Sequence, residues 1–409
     1  MSKMSDVTSN DTELLFWENQ NLEEFEASII EIQDNGIILD KTAFYPESGG
    51  QHSDFGHIFL KTDKKSKLDV KYVEKLNGKV LHHISEKIPM NFSIGQKIIG
   101  KINWSRRQNL MRAHTSQHVL SAVLEDQFNI KTTKAVIDEK EVAIHLERKI
   151  TETELKKALI ISNSILLKGR NVESRIFEKN KIPEKIKSKL RGEPDKVEQD
   201  KIRVMIIEEL DYSLCGGTHC QNIQEIGVLF LEDVKGDVIT YTFGETALEH
   251  IAAMSFGVID ISKSLASKPN EVVSRIPKVI NELNDLKETN NQLNKVLLKQ
   301  LMKTVKENSV KLGTIEVLKE NFHFAEKKFV LQELGKLAEN QVAIFIMNGP
   351  IIVILSSLIT LPANAVAKGF CEKTKNKGGG SPAVAQVSTS NPEKDLEIIL
   401  DIIRKMTNK

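Results

Sequence analysis

Two short stretches decide how this chain is read: "RAHTSQHVLSAVL", Arg112 to Leu124, and "LCGGTHC", Leu214 to Cys220. In the first, Leu110, His114, His118 and Val119 share one face at 3.6 periodicity, so residues 105–127 are expected to form one amphipathic helix. Side chains at i and i+4 stand one above the other, and two imidazoles so placed can reach a single ion. In the second, a glycine pair lets the backbone fold tightly, and the Cys215 thiolate and His219 imidazole project from one loop. If the two pieces meet they make a His3Cys set, a borderline-soft mixture that suits one zinc ion per chain at bond lengths of about 2.0–2.3 Å. Cys220 adjoins His219 and could replace Cys215 as the sulfur donor. The histidine pair lacks the glutamate base of a zinc protease. A site closed by four protein ligands is ordinarily structural, because catalysis needs an open position for water. A hydrolytic role therefore requires a loose ligand, or an ion that anchors substrate while water is activated elsewhere.

Outward from these stretches, 409 residues are too many for one core, and two to four domains are expected. Composition is that of a soluble globular protein, 40% hydrophobic and 28% charged. The net charge of +1 means that any nucleic-acid surface must be local. The start, "MSKMSDVTSNDTELLF", is polar and acidic rather than signal-like, and no run approaches the ~20 apolar residues of a membrane span. Two of the three cysteines lie within the second stretch, which is no disulfide framework. The expected setting is the reduced cytoplasm, with no membrane partner.

The expected fold class is α+β multidomain. Residues 1–103 should hold a small β-barrel or curled sheet, with hairpins at Asp34-Asn35-Gly36 and Asn77-Gly78. Residues 104–257 should form an α+β domain that carries both metal stretches. There "VAIHLE" and "VITYTF" read as strands, "KIRVMIIEEL" as a buried central strand, and a helix over 151–168 opens on the capping box Thr151-x-x-Glu154. Residues 258–322 carry an a/d repeat through Ile276, Val279, Leu283, Leu286, Asn290, Leu293, Leu297, Gln300 and Thr304, a coiled-coil or helical-hairpin pattern with Pro277 near its start. Residues 323–409 read as a small α/β domain with a Lys377-Gly-Gly-Gly loop.

"WSRRQNLMRAHTSQHVLSAVL" together with "SLCGGTHC" resembles the editing domain of alanyl-tRNA synthetases and of their free-standing relatives, the AlaX editing proteins. "TAFYPESGGQHSDFG", Thr42 to Gly56, resembles the glycine-rich segment of the same proteins. "KGGGSPAVAQ" resembles the oligomerisation domain that ends the synthetases and the longer AlaX proteins. A phosphodiesterase family shares that last domain, but its Asp-His-His core is absent here.

The resemblance implies zinc-dependent hydrolysis of tRNA(Ala) mischarged with serine or glycine. A pocket shaped for a small side chain cannot strongly exclude a smaller one or one with an added hydroxyl, so a second site must remove errors. The chain is too short for a whole synthetase, and its first hundred residues read as β, so editing in trans is expected. The resemblance carries the ligands over as His114, His118, Cys215 and His219. It places Gln117, Thr132 and Thr133 on the substrate, and Gly49, Gly50 and Gln51 on the tRNA end. Arg106 and Arg107, which precede the histidines of the metal helix, are expected on the tRNA by position. The resemblance also implies a homodimer formed through the C-terminal region. The chain departs from the family at Val238-Ile239-Thr240-Tyr241, where an arginine is usual. The alternative reading is a tRNA-binding module with a structural zinc and no turnover.

Overall fold

The computed structural model describes residues 11–194, 200–322, 327–334, 337–347 and 351–407. Two compact units divide the chain, Met1–Val258 and Ile259–Lys409.

The first unit opens with a closed six-stranded barrel of β1 (Glu24–Gln33), β2 (Gly36–Leu39), β3 (Gly56–Leu60), β4 (Asp63–Leu76), β5 (Lys79–Ile84) and β6 (Lys97–Ile102), in the order β1-β2-β5-β4-β3-β6. Closure removes every exposed strand edge. Asn77 and Gly78 both take positive φ, 50° and 84°, as the right-handed twist of hairpin β4–β5 demands. Gly36 has a different role from the one its Asn-Gly pairing implies. It is the first residue of β2, and a Cβ there would meet Leu81 Cδ1 at 2.6 Å. Phe25, Ile37, Phe44, Ile58, Leu68 and Val80 fill the interior. His82 is buried in the wall, bonded through Nδ1 to Ile37 O (3.0 Å) and paired through Nε2 with Thr42 Oγ1 (2.8 Å). Burial pushes its pKa down to about 4.

Helix α1 (Trp104–Phe128) follows, with Asn103 as its N-cap and Asn129 as a left-handed C-cap. It differs from the amphipathic helix that the periodicity suggests. Fifteen of its 25 residues are buried, polar ones among them, because the barrel, the metal loop and a sheet enclose it. That sheet is antiparallel, built from β7 (Thr132–Ile137), β8 (Glu141–Leu146), β12 (Leu229–Lys235) and β13 (Val238–Phe243) in the order β12-β13-β8-β7. Helix α2 (Glu152–Lys168) begins on the expected Thr151/Glu154 capping box. Strands β9 (Val172–Glu178), β10 (Lys201–Ile207) and β11 (Asp211–Leu214) form a three-stranded sheet with β10 at its centre. Helix α3 (Gly244–Ser264) runs across the division between the units.

The second unit contains the 36-residue helix α4 (Val272–Glu307), with Pro277 inside its second turn. A six-stranded sheet follows: β14 (Val310–Leu312), β15 (Ile315–Phe322), β16 (Gln341–Met347), β17 (Ile351–Ser356), β18 (Gly378–Gly380) and β19 (Val384–Ser388) in the order β14-β15-β16-β17-β19-β18. This sheet starts at Val310 rather than after 322, because β15 pairs in parallel with β16. Residues alternate between its faces. Val342, Ile344 and Ile346 pack under α6 (Ala363–Thr374) and α7 (Pro392–Thr407), while Ala343, Phe345 and Met347 join α4 and α5 (Lys327–Leu334). This contact turns the last part of α4 by one position from the expected seam: Asn294, Leu298 and Val305 are buried instead of Leu293, Leu297 and Thr304. Further upstream, Ile276, Leu283 and Leu286 of the a/d stripe are exposed, and so is Asn290. No helix among the described residues is long and apolar enough to cross a membrane.

Candidate metal centre

The chain brings all four expected ligands together. His114 and His118 project from one side of α1, with their rings stacked 5.1 Å apart. Strand β11 ends at Leu214, and the following loop folds back so that Cys215 and His219 close on the helix. The four ligand atoms lie within 4.8 Å of one another. Cys215 Sγ is 3.2 Å from His219 Nε2 and 3.4 Å from His114 Nε2. Donors around a tetrahedral ion with zinc-like bonds stand about 3.4–3.6 Å apart, so this separation leaves room for such an ion. His118 Nε2 is buried and has no hydrogen-bond partner. An orphaned ring nitrogen facing two imidazoles and a thiol fits a divalent metal, since burial without a partner is otherwise costly.

Each histidine turns its other nitrogen to an acceptor. His114 Nδ1 donates to Gln51 Oε1 (2.7 Å), His118 Nδ1 to Asp211 Oδ2 (2.9 Å), and His219 Nδ1 lies 3.4 Å from Thr115 Oγ1. These contacts fix the tautomers so that the three Nε2 atoms face inward. Burial opposes ionisation of Cys215, but the imidazoles around it prevail and hold its thiol well below the ordinary range. At His118 burial opposes protonation, and the Asp211 carboxylate outweighs it, giving a pKa of about 9. Burial pushes His219 down to about 3. A metal held by His114, His118, Cys215 and His219 would bind with loss of any proton on His118 and would meet a sulfur already inclined to be a thiolate.

The loop geometry depends on one of its two glycines. A Cβ on Gly217 would meet His114 Cε1 at 2.2 Å, whereas one on Gly216 would meet nothing within 4 Å. Arg203, buried on β10, donates from Nη1 to Cys215 O (3.0 Å) and Gly217 O (2.7 Å). This arginine supports the loop. On β13, within Val238-Ile239-Thr240-Tyr241, the Tyr241 hydroxyl pairs with Ser116 Oγ at 3.0 Å. Cys220 turns into the apolar core, where burial pushes its thiol up to about 12. The sulfur that faces the three imidazoles is therefore that of Cys215.

A cleft of about 1230 Å³ opens over the cluster. His114, His118 and Cys215 lie on its floor, whereas His219 lies behind them. Gln117, Thr132 and Thr133 line it. Gln117 Nε2 donates to Ser121 Oγ (2.8 Å), which pairs with Thr132 Oγ1 (2.7 Å), a polar chain along one wall. The Thr133 hydroxyl is spent on His145 O (3.2 Å). Gly49 and Gly50 line the rim at φ 59° and 84°. Gly50 packs so closely that a Cβ would lie 2.2 Å from Ala135 O.

Three residues assigned to tRNA contact are placed otherwise. Gln51 is fully buried under the cluster. Arg107 is also fully buried, its guanidinium gripping Asp54, Ala43 O and Gln20 O. Arg106 is 8% exposed, bonded to Ser53 O and Glu139 and lying over the Phe55 ring at 3.8 Å. These arginines join α1 to the barrel, because "WSRR" begins the helix where it emerges from β6. The basic groups on the cleft wall are Lys75, Lys131, Lys134 and Arg191. Residue-type reasoning missed Asp211, Arg203 and Ser121. The available signals were an acid four residues before Cys215, an arginine inside an apolar strand, and a serine one turn beyond Gln117.

Residues 4–106 match the family model described as tRNA synthetases class II (A), and residues 202–239 match that of the threonyl and alanyl tRNA synthetase second additional domain. The second match holds Cys215 and His219. Alanine–tRNA ligase of Methanococcus maripaludis (strain C6) is 28% identical over 423 residues, covering 98% of this chain and 45% of the relative. That of Saccharolobus islandicus (strain Y.G.57.14) is 28% identical over 410 residues, 96% of this chain and 44% of the relative. The chain is thus similar to alanine–tRNA ligases over nearly its whole length. It spans less than half the length of these relatives. The segment that matches the class II model falls here largely on a closed β-barrel. The C-Ala domain of Aquifex aeolicus alanyl-tRNA synthetase, a solved structure, has 19% identity over 24% of this chain and 98% of its own, with a TM-score of 0.21.

Proposed function

We propose that this protein hydrolyses the ester of tRNA(Ala) mischarged with serine, and with glycine as a second substrate, acting in trans in the cytoplasm with one zinc ion. The observation that carries this reading is the His3Cys cluster, set in the floor of a cleft large enough for an aminoacylated adenosine, in a chain related to alanine–tRNA ligases. His114, His118, Cys215 and His219 would hold the ion, which supplies Lewis-acid polarisation of a carbonyl or of water.

The protein's own groups do the rest. Ser48, Gly49 and Gly50 give the tRNA end a wall without bulky side chains. The Gln117–Ser121–Thr132 chain presents hydroxyl and amide groups that can bond a serine side chain and that leave alanine without a matching partner. Lys75, Lys131 and Lys134 on the cleft wall take the phosphates, so binding should weaken steeply with salt. Substrate approaches on the side of His114, His118 and Cys215, the side open to the cleft.

Four protein ligands also favour the second reading, a tRNA-binding module with a structural zinc. Incubation of seryl-tRNA(Ala) with the zinc-loaded protein separates the two. Ester loss that vanishes in His114→Ala supports hydrolysis, and tRNA binding without ester loss overturns it. The proposal includes a homodimer through the C-terminal unit, supported by exposed Ile276, Leu283 and Leu286 on α4. Light scattering that gives a monomer mass at micromolar concentration overturns that part.

A further inference from the structure

The glycine-rich segment of the barrel does more than border the cleft. Gln51, which follows the glycine pair Gly49-Gly50, has no exposed surface and reaches both halves of the metal cluster. Oε1 accepts from His114 Nδ1 at 2.7 Å and from Thr218 N at 3.1 Å, while Nε2 donates to Thr218 Oγ1 at 2.9 Å. One carboxamide thus ties a ligand on α1 to the Cys-Gly-Gly-Thr-His loop, whose Thr218 lies 167 residues beyond Gln51 in sequence. Gly217 keeps this space open, because a Cβ there would also lie 2.9 Å from Gln51 Oε1.

The other end of the segment faces the cleft. Ser48 and Gln51 bond each other's backbone (3.2 and 3.0 Å), so Gly49 and Gly50 form the tip of a tight turn. This turn is fastened to the sheet of the metal domain by Ile137 N donating to Gly50 O (2.8 Å) and His52 N donating to Ile137 O (3.3 Å). Gly50 can pack on Ala135 only because it has no side chain. The turn is therefore held at two places, by β7 and by the ligand His114.

We propose that Gln51 is a positioning residue that couples the glycine turn to the metal cluster, so that ion binding and docking of the cleft-facing turn stabilise one another. The inference rests on the reading above that the cluster holds a metal. The physical basis is linkage. Gln51 Oε1 can accept from His114 only when Nδ1 carries the proton, and in the neutral ring that is the tautomer whose Nε2 is free for an ion, so the ion favours the state in which the turn is docked. By reciprocity the docked turn favours the ion.

Zinc competition against a chromophoric chelator, the Co2+ absorption spectrum and backbone hydrogen exchange test this without any tRNA. In Gln51→Leu, zinc affinity should fall about 10–100-fold and the Co2+ bands should shift, whereas Gln51→Glu, which keeps both acceptor bonds, should restore most of the affinity. Stripping metal from the wild type should speed exchange at the Ile137 amide, and Gln51→Leu should abolish that difference. If Gln51→Leu does not fold, the Glu variant and the wild-type exchange experiment decide. Wild-type zinc affinity in a folded Leu variant, or Ile137 exchange indifferent to metal, overturns the coupling alone. A wild type that takes up no zinc overturns the proposed function along with it.

Discussion

Adjacent glycines in the metal loop make a sharp comparison. In Gly217→Ala the new methyl would lie 2.2 Å from His114 Cε1 and 2.3 Å from Nδ1, where ordinary contact begins at 3.4 Å, so the ring must retreat by about 1.2 Å. That ring is held at Nδ1 by Gln51 and shares the cluster with three other ligands, so it has no slack along this direction. Metal–ligand distances tolerate about 0.2 Å, and overpacking a filled site costs about 1–3 kcal/mol. Gly217→Ala should therefore lose about 5–150-fold in zinc affinity, each factor of ten being about 1.4 kcal/mol, and should unfold at lower temperature. Gly216→Ala meets nothing within 4 Å and takes no positive φ, so it should bind zinc as the wild type does. Metal content by elemental analysis, followed by chelator competition on both variants, makes the measurement. Equal affinity in the two variants refutes the assigned geometry of loop and helix.

Three further outcomes follow from the same contacts. Asp211→Asn removes the carboxylate that bonds both His118 Nδ1 and Arg191 Nε, and should weaken zinc binding by about 10–100-fold in chelator competition; a change under threefold speaks against the contact. Arg107→Met leaves Asp54 buried without its cation and should lower stability in urea unfolding by about 3–5 kcal/mol; a loss under about 1 kcal/mol contradicts the buried pairing. His82 is a base whose folded pKa, about 4, lies below its ordinary 6.5, so its neutral form contributes stability in full above pH 6.5, and that contribution is lost as pH falls towards 4. The loss is on the order of 3 kcal/mol, and a His82→Asn variant should show a flatter pH dependence of urea stability over that window. Parallel slopes for the two proteins rule this out.

Much of this fold is legible in residue order because local chemistry and tertiary context agree. Asn77-Gly78 makes its hairpin, Thr151 and Glu154 cap their helix, and the spacing of His114 and His118 needs only a helix to bring both rings to one side. The misses arise where tertiary partners decide. Arg106 and Arg107 resemble nucleic-acid contacts in a linear sequence, yet the helix enters from the barrel wall and each finds oxygen acceptors there. The a/d pattern of α4 continues past Leu293, but the sheet beginning at Val310 claims a different face of the last turns. Gln51 looks like part of a flexible glycine loop because the partner that buries it, His114, lies 63 residues further along the chain.

The ligand pairs also impose an order on maturation. The pair on α1 is synthesised about a hundred residues before the Cys215–His219 pair, and two imidazoles alone make a weak and unselective metal site. Under the proposed function an ion would be captured firmly only after the second pair has been made and the intervening strands have folded back onto the helix. Loading would then be a late event in the life of each molecule, and the captured ion would act as a cross-link across the span of chain that was costliest to close.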